Sequence, residues 1–281
     1  MEVFRSKGEQ SSWSAREASS GSSIGFVPTM GALHAGHLSL VDRARRENGK
    51  VVCSIFVNPL QFNKTEDLET YPRTLERDLA LLKEAGCDAV FCPSTQEMYP
   101  EKMSKRYDFG ELDQVMEGSH RPGHFNGVAI VVNLLLEIVR PHRAYFGLKD
   151  YQQLRIVRRM AEMEGHSTEI IACETVREAD GLAMSSRNVR LSKDQRREAS
   201  TIYKALVRAR QLYPHKDPAA IKQEAISLIN ASPRLEVEYF EIVDAITLQP
   251  LERSSEGSPA IACTAVYAGE VRLIDNLSLN A

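Results

Sequence analysis

An excess of charge of either sign is missing from this sequence. Its 281 residues carry 35 Lys and Arg against 38 Asp and Glu, a formal net charge of −3. That balance argues against a protein that holds nucleic acid by its overall field, leaving room only for a local basic patch. Cysteine is sparse and unpatterned. Cys53, Cys87, Cys92, Cys173 and Cys263 are odd in number and contain no Cys-x-x-Cys, so reduced thiols in the cytoplasm are expected. Long apolar runs are also absent. The most apolar stretch, Gly127 to Val139, is interrupted by Asn133 and Glu137. It falls short of the roughly 20 residues of a membrane span and reads as a buried helix. The first residues lack the apolar core of a signal peptide, so no export signal is expected. No internal repeat is visible. What is there is ordinary for a globular chain, 43% hydrophobic and 26% charged, with room for one large or two modest domains.

One stretch stands out from that background, Gly25-Phe26-Val27-Pro28-Thr29-Met30-Gly31-Ala32-Leu33-His34-Ala35-Gly36-His37-Leu38. The apolar run from Ile24 to Val27 is expected to be a strand that stops at Pro28, which cannot donate into a sheet ladder. Gly31 and Gly36 allow a tight loop whose backbone can approach a ligand. From His37 the apolar spacing turns helical, through Leu38, Leu40, Val41 and Ala44. A helix N-terminus after a glycine loop offers unpaired N–H groups and a positive dipole end, both suited to phosphate. His34 and His37, about one turn apart, can face one phosphate chain and donate hydrogen bonds as charge builds on it. A His-x-x-His pair also suits a metal, but no third His, Cys or acid sits at ligand spacing nearby. Two surface histidines are the bland reading of the pair alone. The Pro-Thr-Met-Gly before it and the helix after it weigh against that.

Elsewhere the pattern alternates. The Ser-rich text from Ser11 to Ser23 predicts weak or frayed structure, with at most a short helix over Ser14 to Ala18. Lys50 to Asn58 reads as a buried strand closed by Asn58-Pro59. Gln61 lies just beyond it, where ligands bind in open α/β sheets, and its amide can donate and accept at once. Alone, a loop glutamine is more often simply exposed. Thr74 to Ala85 is a predicted helix ended by Gly86, and Asp88 to Cys92 a strand. A helix over Val128 to Val139 and a short strand over Arg143 to Phe146 follow. Gly147-Leu148-Lys149-Asp150 then sits at a strand–helix junction, before a predicted helix from Tyr151 to Glu164. Lys149 is placed to neutralise phosphate and Asp150 to accept from ribose hydroxyls, against the plain alternative of a capped turn. Gln153 points back towards that junction. After a strand at Glu169 to Ala172, Arg177 to Asn188 is a polar loop. In it, Met184-Ser185-Ser186-Arg187 offers hydroxyls, backbone and one cation to a triphosphate.

Strand–loop–helix units up to about Val176 predict an α/β first domain over residues 1–175, a Rossmann-like parallel sheet flanked by helices. Residues 176–281 read as a smaller C-terminal α+β domain. Its helices run from Lys193 to Tyr213 and Pro218 to Ala231. Its strands run from Leu235 to Asp244, Ala260 to Tyr267 and Val271 to Asp275. Every motif singled out falls at the carboxyl end of a strand.

Leu33-His34-Ala35-Gly36-His37 resembles the HxGH phosphate-binding signature of the nucleotidyltransferase superfamily that includes class I aminoacyl-tRNA synthetases. Longer strings resemble the pantoate–β-alanine ligase family, from about Ile24 to Asn276. They include Val27-Pro28-Thr29-Met30-Gly31, Ser54-Ile55-Phe56-Val57-Asn58-Pro59, Tyr71-Pro72-Arg73-Thr74 and Arg121-Pro122-Gly123-His124-Phe125. Asp180-Gly181-Leu182-Ala183 and Arg272-Leu273-Ile274-Asp275-Asn276 extend the match. The N-terminal segment departs from the family's strand and amphipathic helix.

The resemblance implies an enzyme that condenses pantoate with β-alanine through a pantoyl adenylate, releasing AMP and pyrophosphate. It implies ATP as substrate with Mg²⁺, cytoplasmic location, a homodimer, and no nucleic-acid or membrane partner. ATP would contact Met30, Gly31, Ala32, Leu33, His34, Ala35, Gly36 and His37. It would also contact Gly147, Leu148, Lys149, Asp150, Val176, Met184, Ser185, Ser186 and Arg187. His37, His34, Lys149 and Arg187 are implied as catalytic, with His37 usually cast as proton donor. Gln61 and Gln153 would hold pantoate, and Gln61 also β-alanine; the metal ligands are unknown. Met184 to Arg187 takes the place of the synthetases' KMSKS segment. The literal Lys102-Met103-Ser104-Lys105 is discounted for want of a strand–helix frame. From the residues alone, a nucleotidylyltransferase, an aminoacyl-tRNA synthetase and an ATP-binding module stay open.

Overall fold

Short β-rich runs separated by amphipathic helices set the architecture. In chain order the elements are β1 (Glu2–Phe4), α1 (Lys7–Ser19), β2 (Ile24–Thr29), α2 (Ala35–Glu47) and β3 (Lys50–Ile55). Then come α3 (Thr65–Glu69), α4 (Leu75–Glu84), β4 (Ala89–Phe91), α5 (Thr95–Met98), α6 (Met116–His120) and α7 (His124–Val139). β5 (Arg143–Gly147), α8 (Tyr151–Met163) and β6 (Glu169–Cys173) follow, then α9 (Lys193–Leu212), α10 (Pro218–Asn230), β7 (Leu235–Asp244), β8 (Ala260–Ala268) and β9 (Val271–Ser278). The computed structural model describes residues 1–63, 65–213, 215–254 and 259–280. They fall into two units. The first is Met1–Phe109, Arg121–Gly147 and Gln153–Glu174; the second is Gly110–His120, Leu148–Gln152 and Thr175–Ala281.

The first unit carries a six-stranded sheet in the order β1-β4-β3-β2-β5-β6, parallel at every pairing. Its strands are continuous apolar runs because helices cover both faces. Phe26, Val27, Val52, Cys53, Val90, Phe91, Ala144 and Tyr145 are buried. β2, β3 and β4 progress outward on one side, and β5 and β6 lie on the other. The order therefore reverses between β2 and β5, the switch point where open α/β sheets take ligands. β2 runs one residue past Pro28, to Thr29. Its ladder with β5 involves only Gly25 and Phe26, so the missing N–H falls where β2 has a single partner.

The N-terminal expectation was wrong. Residues 7–19 form a full helix, and Glu2–Phe4 pairs with β4 at the sheet edge. A capping box opens the helix: Glu9 N–H donates to Ser6 Oγ and Ser6 N–H to the Glu9 carboxylate, both at 3.2 Å. These bonds hold the Glu9 carboxyl below its ordinary range. The buried stripe is Gln10, Trp13 and Ser14, correctly spaced for a helix but largely polar. Gln10 Nε2 donates to Ser14 Oγ at 3.1 Å and Trp13 Nε1 to Glu2 at 2.8 Å, so these donors are paired, while the buried Gln10 Oε1 has no partner among the described residues. Hydrophobic periodicity cannot register such a face.

In the second unit α9 and α10 pack on an antiparallel sheet, β7-β8-β9. Ile202, Leu206, Ile221, Phe240, Ala262 and Val266 form its core. Gly110–His120 and Leu148–Gln152 come early in the chain yet belong to this unit. Buried Gln152 donates to the carbonyls of Leu112 and Val115 and accepts from Glu117 N–H. Glu117 receives two Arg272 N–H groups, at 2.7 and 2.8 Å, and the Tyr239 hydroxyl. Burial opposes the Arg272 charge, but Glu117 and Glu238 outweigh it and raise its pKa. Among the described residues no helix is long and apolar enough to cross a membrane.

Candidate active site

The loop after β2 is built by its own hydrogen bonds. Gly31 (φ 82°) and Ala32 (φ 50°) are successive left-handed residues. A Cβ on Gly31 would lie 3.0 Å from Asp78 Oδ2 and 3.1 Å from Ile55, so glycine fits both conformation and space. Gly31 N–H donates to Thr29 Oγ1 at 3.1 Å, and the N–H groups of Ala32 and Leu33 donate to the Asp78 carboxylate, each at 2.9 Å. His34 caps α2: its Nδ1 accepts from Gly36 N–H at 3.2 Å, and His37 Nδ1 accepts from His34 N–H at 3.4 Å. A backbone N–H can only donate. With Nδ1 accepting, the proton of each neutral imidazole sits on Nε2. The rings are 4.1 Å apart, centroid to centroid. This revises the picture of bare backbone amides waiting for phosphate. The N–H groups of residues 31–34 are engaged within the protein, and the donor atom of each neutral ring is Nε2.

Gln61 is held at both ends. Asn58 is buried; its Oδ1 accepts from Leu60 N–H and from the Tyr99 hydroxyl, at 3.2 and 2.8 Å. Its Nδ2 donates to Gly127 O at 3.1 Å and to Gln61 Oε1 at 3.0 Å. Leu60 N–H and Gly127 O admit one role each, so the orientation of both amides is settled chemically. Gln61 presents its NH₂ end, 3.2 Å from Met30 Sδ. The Gln61 carbonyl accepts from His124 Nδ1 at 2.8 Å and from Arg121 at 3.4 Å. Gly127 lets α7 come close, because a Cβ there would lie 2.2 Å from Leu60 O. Asn58 and Asp78 escape sequence reasoning: the first looks like a strand terminator, the second like one charge in a polar helix.

The first unit thus holds Met30 to His37, Gln61, Gly147 and Gln153. Gly147 closes β5, the neighbour of β2, so both leave the same sheet rim. The second unit holds Leu148, Lys149, Asp150, Val176, Met184, Ser185, Ser186 and Arg187. There Asn276 Nδ2 donates to the carbonyls of Leu148 and Lys149, at 2.9 and 2.8 Å, fixing the turn that carries Lys149. Lys149 Nζ is 3.6 Å from Asp150. A hairpin brings Val176 to Met184, whose N–H donates to Val176 O at 3.0 Å. Arg177 braces it with a bidentate pair to Asp275, at 2.6 and 3.0 Å, and lies 4.1 Å over the Tyr203 ring. Burial pushes the Asp275 carboxyl up, and the Arg177 guanidinium opposes that shift. Ser185 Oγ caps the following turn by accepting from Arg187 N–H. The Arg187 guanidinium has no hydrogen bond or ion pair among the described residues. Lys105, by contrast, is paired with Glu164 at 2.6 Å and lies over Tyr107.

A sequence profile of the pantoate–β-alanine ligase family matches residues 2–278. The chain belongs to this family. It is 50% identical over 277 residues to the pantothenate synthetase of Porphyromonas gingivalis, covering 99% of each chain. It is 49% identical over 282 residues to that of Fervidobacterium nodosum, covering both completely. The crystal structure of pantothenate synthetase from Thermus thermophilus superposes with a TM-score of 0.93 at 47% identity over the whole of both chains. The Francisella tularensis ligase, complexed with beta-gamma ATP and β-alanine, gives 0.84 at 35% identity, covering 100% of this chain and 98% of that one. These likenesses extend through residues 1–23, so the N-terminal strand and helix do not set this chain apart from its family.

Proposed function

We infer that the chain condenses pantoate with β-alanine at the expense of ATP, through pantoyl adenylate, releasing AMP and pyrophosphate. The observation that carries this is the His34–His37 pair at the start of α2, with both Nδ1 atoms turned to the backbone, in a member of this ligase family. The pantoate carboxylate attacks the α-phosphorus and pyrophosphate leaves. The β-alanine amine then attacks the acyl carbon, and AMP leaves with the bridging oxygen. His34 and His37 donate Nε2–H to phosphate oxygens as charge shifts onto them, and Lys149, Ser186 and Arg187 meet the same charge. Met30 to Gly36, Gly147, Leu148, Asp150, Val176, Met184 and Ser185 complete the ATP contacts. Gln61 and Gln153 hold pantoate. The donor end of Gln61 suits an acid or hydroxyl oxygen, and the same side chain serves β-alanine.

Mg²⁺ enters as the ion carried by the ATP phosphates, which suits a cation that dehydrates reluctantly and needs few protein ligands. Among the described residues no group of three or more His, Cys, Asp or Glu is arranged to hold a metal. The same proposal includes the ATP- and pantoate-binding domain over residues 1–175, a C-terminal lid over 176–281, and a homodimer testable by sedimentation. It also includes a reducing, cytoplasmic setting, supported by five buried thiols without disulfides. Pyrophosphate release is the test. It should require pantoate but not β-alanine, and ADP as the nucleotide product would refute the reading.

A further inference from the structure

We propose that Asp78 is a positioning residue for adenylate formation: through the backbone of Ala32 and Leu33 it sets the turn from which His34 and His37 are presented. The proposal rests on the reading of that turn as the triphosphate site. Asp78 is 1% exposed and makes no ion pair with a cation among the described residues. Its charge is instead met by three donors. Leu33 N–H reaches Oδ1 at 2.9 Å; Ala32 N–H and the Thr74 hydroxyl reach Oδ2 at 2.9 and 3.1 Å. It also lies in the first turn of α4, at the positive end of that helix.

Burying a carboxylate near a site for a polyanion is unfavourable unless its geometry is needed. Here it is. Two successive N–H groups must be accepted side by side, one from Ala32 in a left-handed conformation that L residues avoid. They reach different oxygens of Asp78, and a carboxylate offers an acceptor at both positions. A carboxamide would set its own N–H₂ against a backbone N–H. The carboxylate therefore over-determines a backbone conformation that the sequence Gly31-Ala32-Leu33 would not hold alone. His34 follows directly, and its N–H and ring complete the cap of α2. Asp78 touches no reacting atom in this scheme; it acts through the histidines.

A double-mutant cycle on the full chain tests this, read by single-turnover pantoyl-adenylate formation in wild type, Asp78→Asn, His34→Ala and the double variant. Asp78→Asn should slow adenylate formation about 10–100-fold where His34 is present, the order expected for losing a charged hydrogen-bond acceptor. In the His34→Ala background the further loss should be under about threefold, because the two act as a unit. Aminolysis of supplied pantoyl adenylate by β-alanine should fall by a smaller factor than adenylate formation. Equal factors in both backgrounds, or equal losses in both half-reactions, would overturn the proposal by marking Asp78 as merely structural. If Asp78→Asn does not fold, Thr74→Val keeps the carboxylate and removes one donor. It should slow adenylate formation about two- to fivefold, again only with His34 present, and equal losses overturn the proposal. A wild-type protein that releases no pyrophosphate from ATP and pantoate overturns the underlying reading and the proposal together. Normal wild-type turnover with equal losses overturns the proposal alone.

Discussion

Asp78 in the first unit and Asp275 in the second are both buried carboxylates that hold a loop, and they differ in whether a cation meets the charge. Asp78 accepts two backbone N–H groups and a hydroxyl. Asp275 accepts one backbone N–H, from Asn276, and is neutralised by a guanidinium that also stacks on Tyr203. The first arrangement dictates backbone shape residue by residue, which suits a turn that must aim two rings. The second ties a hairpin to a strand by one strong contact. It leaves the guanidinium of Arg187, in the turn that follows the hairpin, with no hydrogen bond or ion pair among the described residues. Loss of the first should therefore appear mainly in chemistry, and loss of the second mainly in stability.

Arg177→Ala is the sharpest way to break that contrast. It leaves Asp275 buried without its cation, a loss of about 3–5 kcal/mol in stability. Because burial already raises the Asp275 carboxyl, protonating it relieves the defect. The loss should be greatest near neutral pH and shrink as pH falls through the folded-state pKa. Denaturant unfolding at two pH values checks this, and a loss within about 0.5 kcal/mol at neutral pH, the range of an inert surface substitution, would defeat it. Arg187→Ala should behave oppositely, with melting unchanged and adenylate formation slowed about 10²–10³-fold, as for removal of one preorganised electrostatic donor. Normal single-turnover rates in that variant would remove Arg187 from the site.

How far such residues could be read in advance depended on which force held them. The parallel strands β2 to β6 and α7 were legible because their burial is apolar, and His34 and His37 because glycine and helix spacing frame them. Asp78 was not. Thr74-Leu75-Glu76-Arg77-Asp78 reads as a solvated helix start, and only the tertiary fold turns one of its acids inward. Gln10 and Ser14 were missed for the same reason. Their helical stripe is polar, and the Gln10–Ser14 hydrogen bond within it is a pairing that one-dimensional pattern cannot reveal. The association of Gly110–His120 with the second unit depends on Gln152 and Arg272, far away in the chain.

A smaller effect separates the two glutamines from the ATP loop. Gln61→Ala and Gln153→Ala should each weaken pantoate use by about 1–3 kcal/mol, the cost of an unpaired polar group, with little change for ATP. Steady-state KM values for each substrate decide this, and a loss confined to ATP would reverse the assignment. Replacing both Lys102 and Lys105 by alanine should matter least. The Lys105–Glu164 pair is a surface contact, so stability should change by about 0.5 kcal/mol or less and adenylate formation should persist. A dead double variant, folded by circular dichroism, would move the triphosphate clamp to that segment.

The central claim is attack by the pantoate carboxylate on the α-phosphorus, and the most direct measurement follows the oxygen. Pantoate labelled with ¹⁸O in its carboxylate, turned over with ATP, Mg²⁺ and β-alanine, should pass one labelled oxygen to AMP and none to pyrophosphate. Label in inorganic phosphate, with ADP as the accompanying nucleotide, would place the attack on the γ-phosphorus and contradict the account.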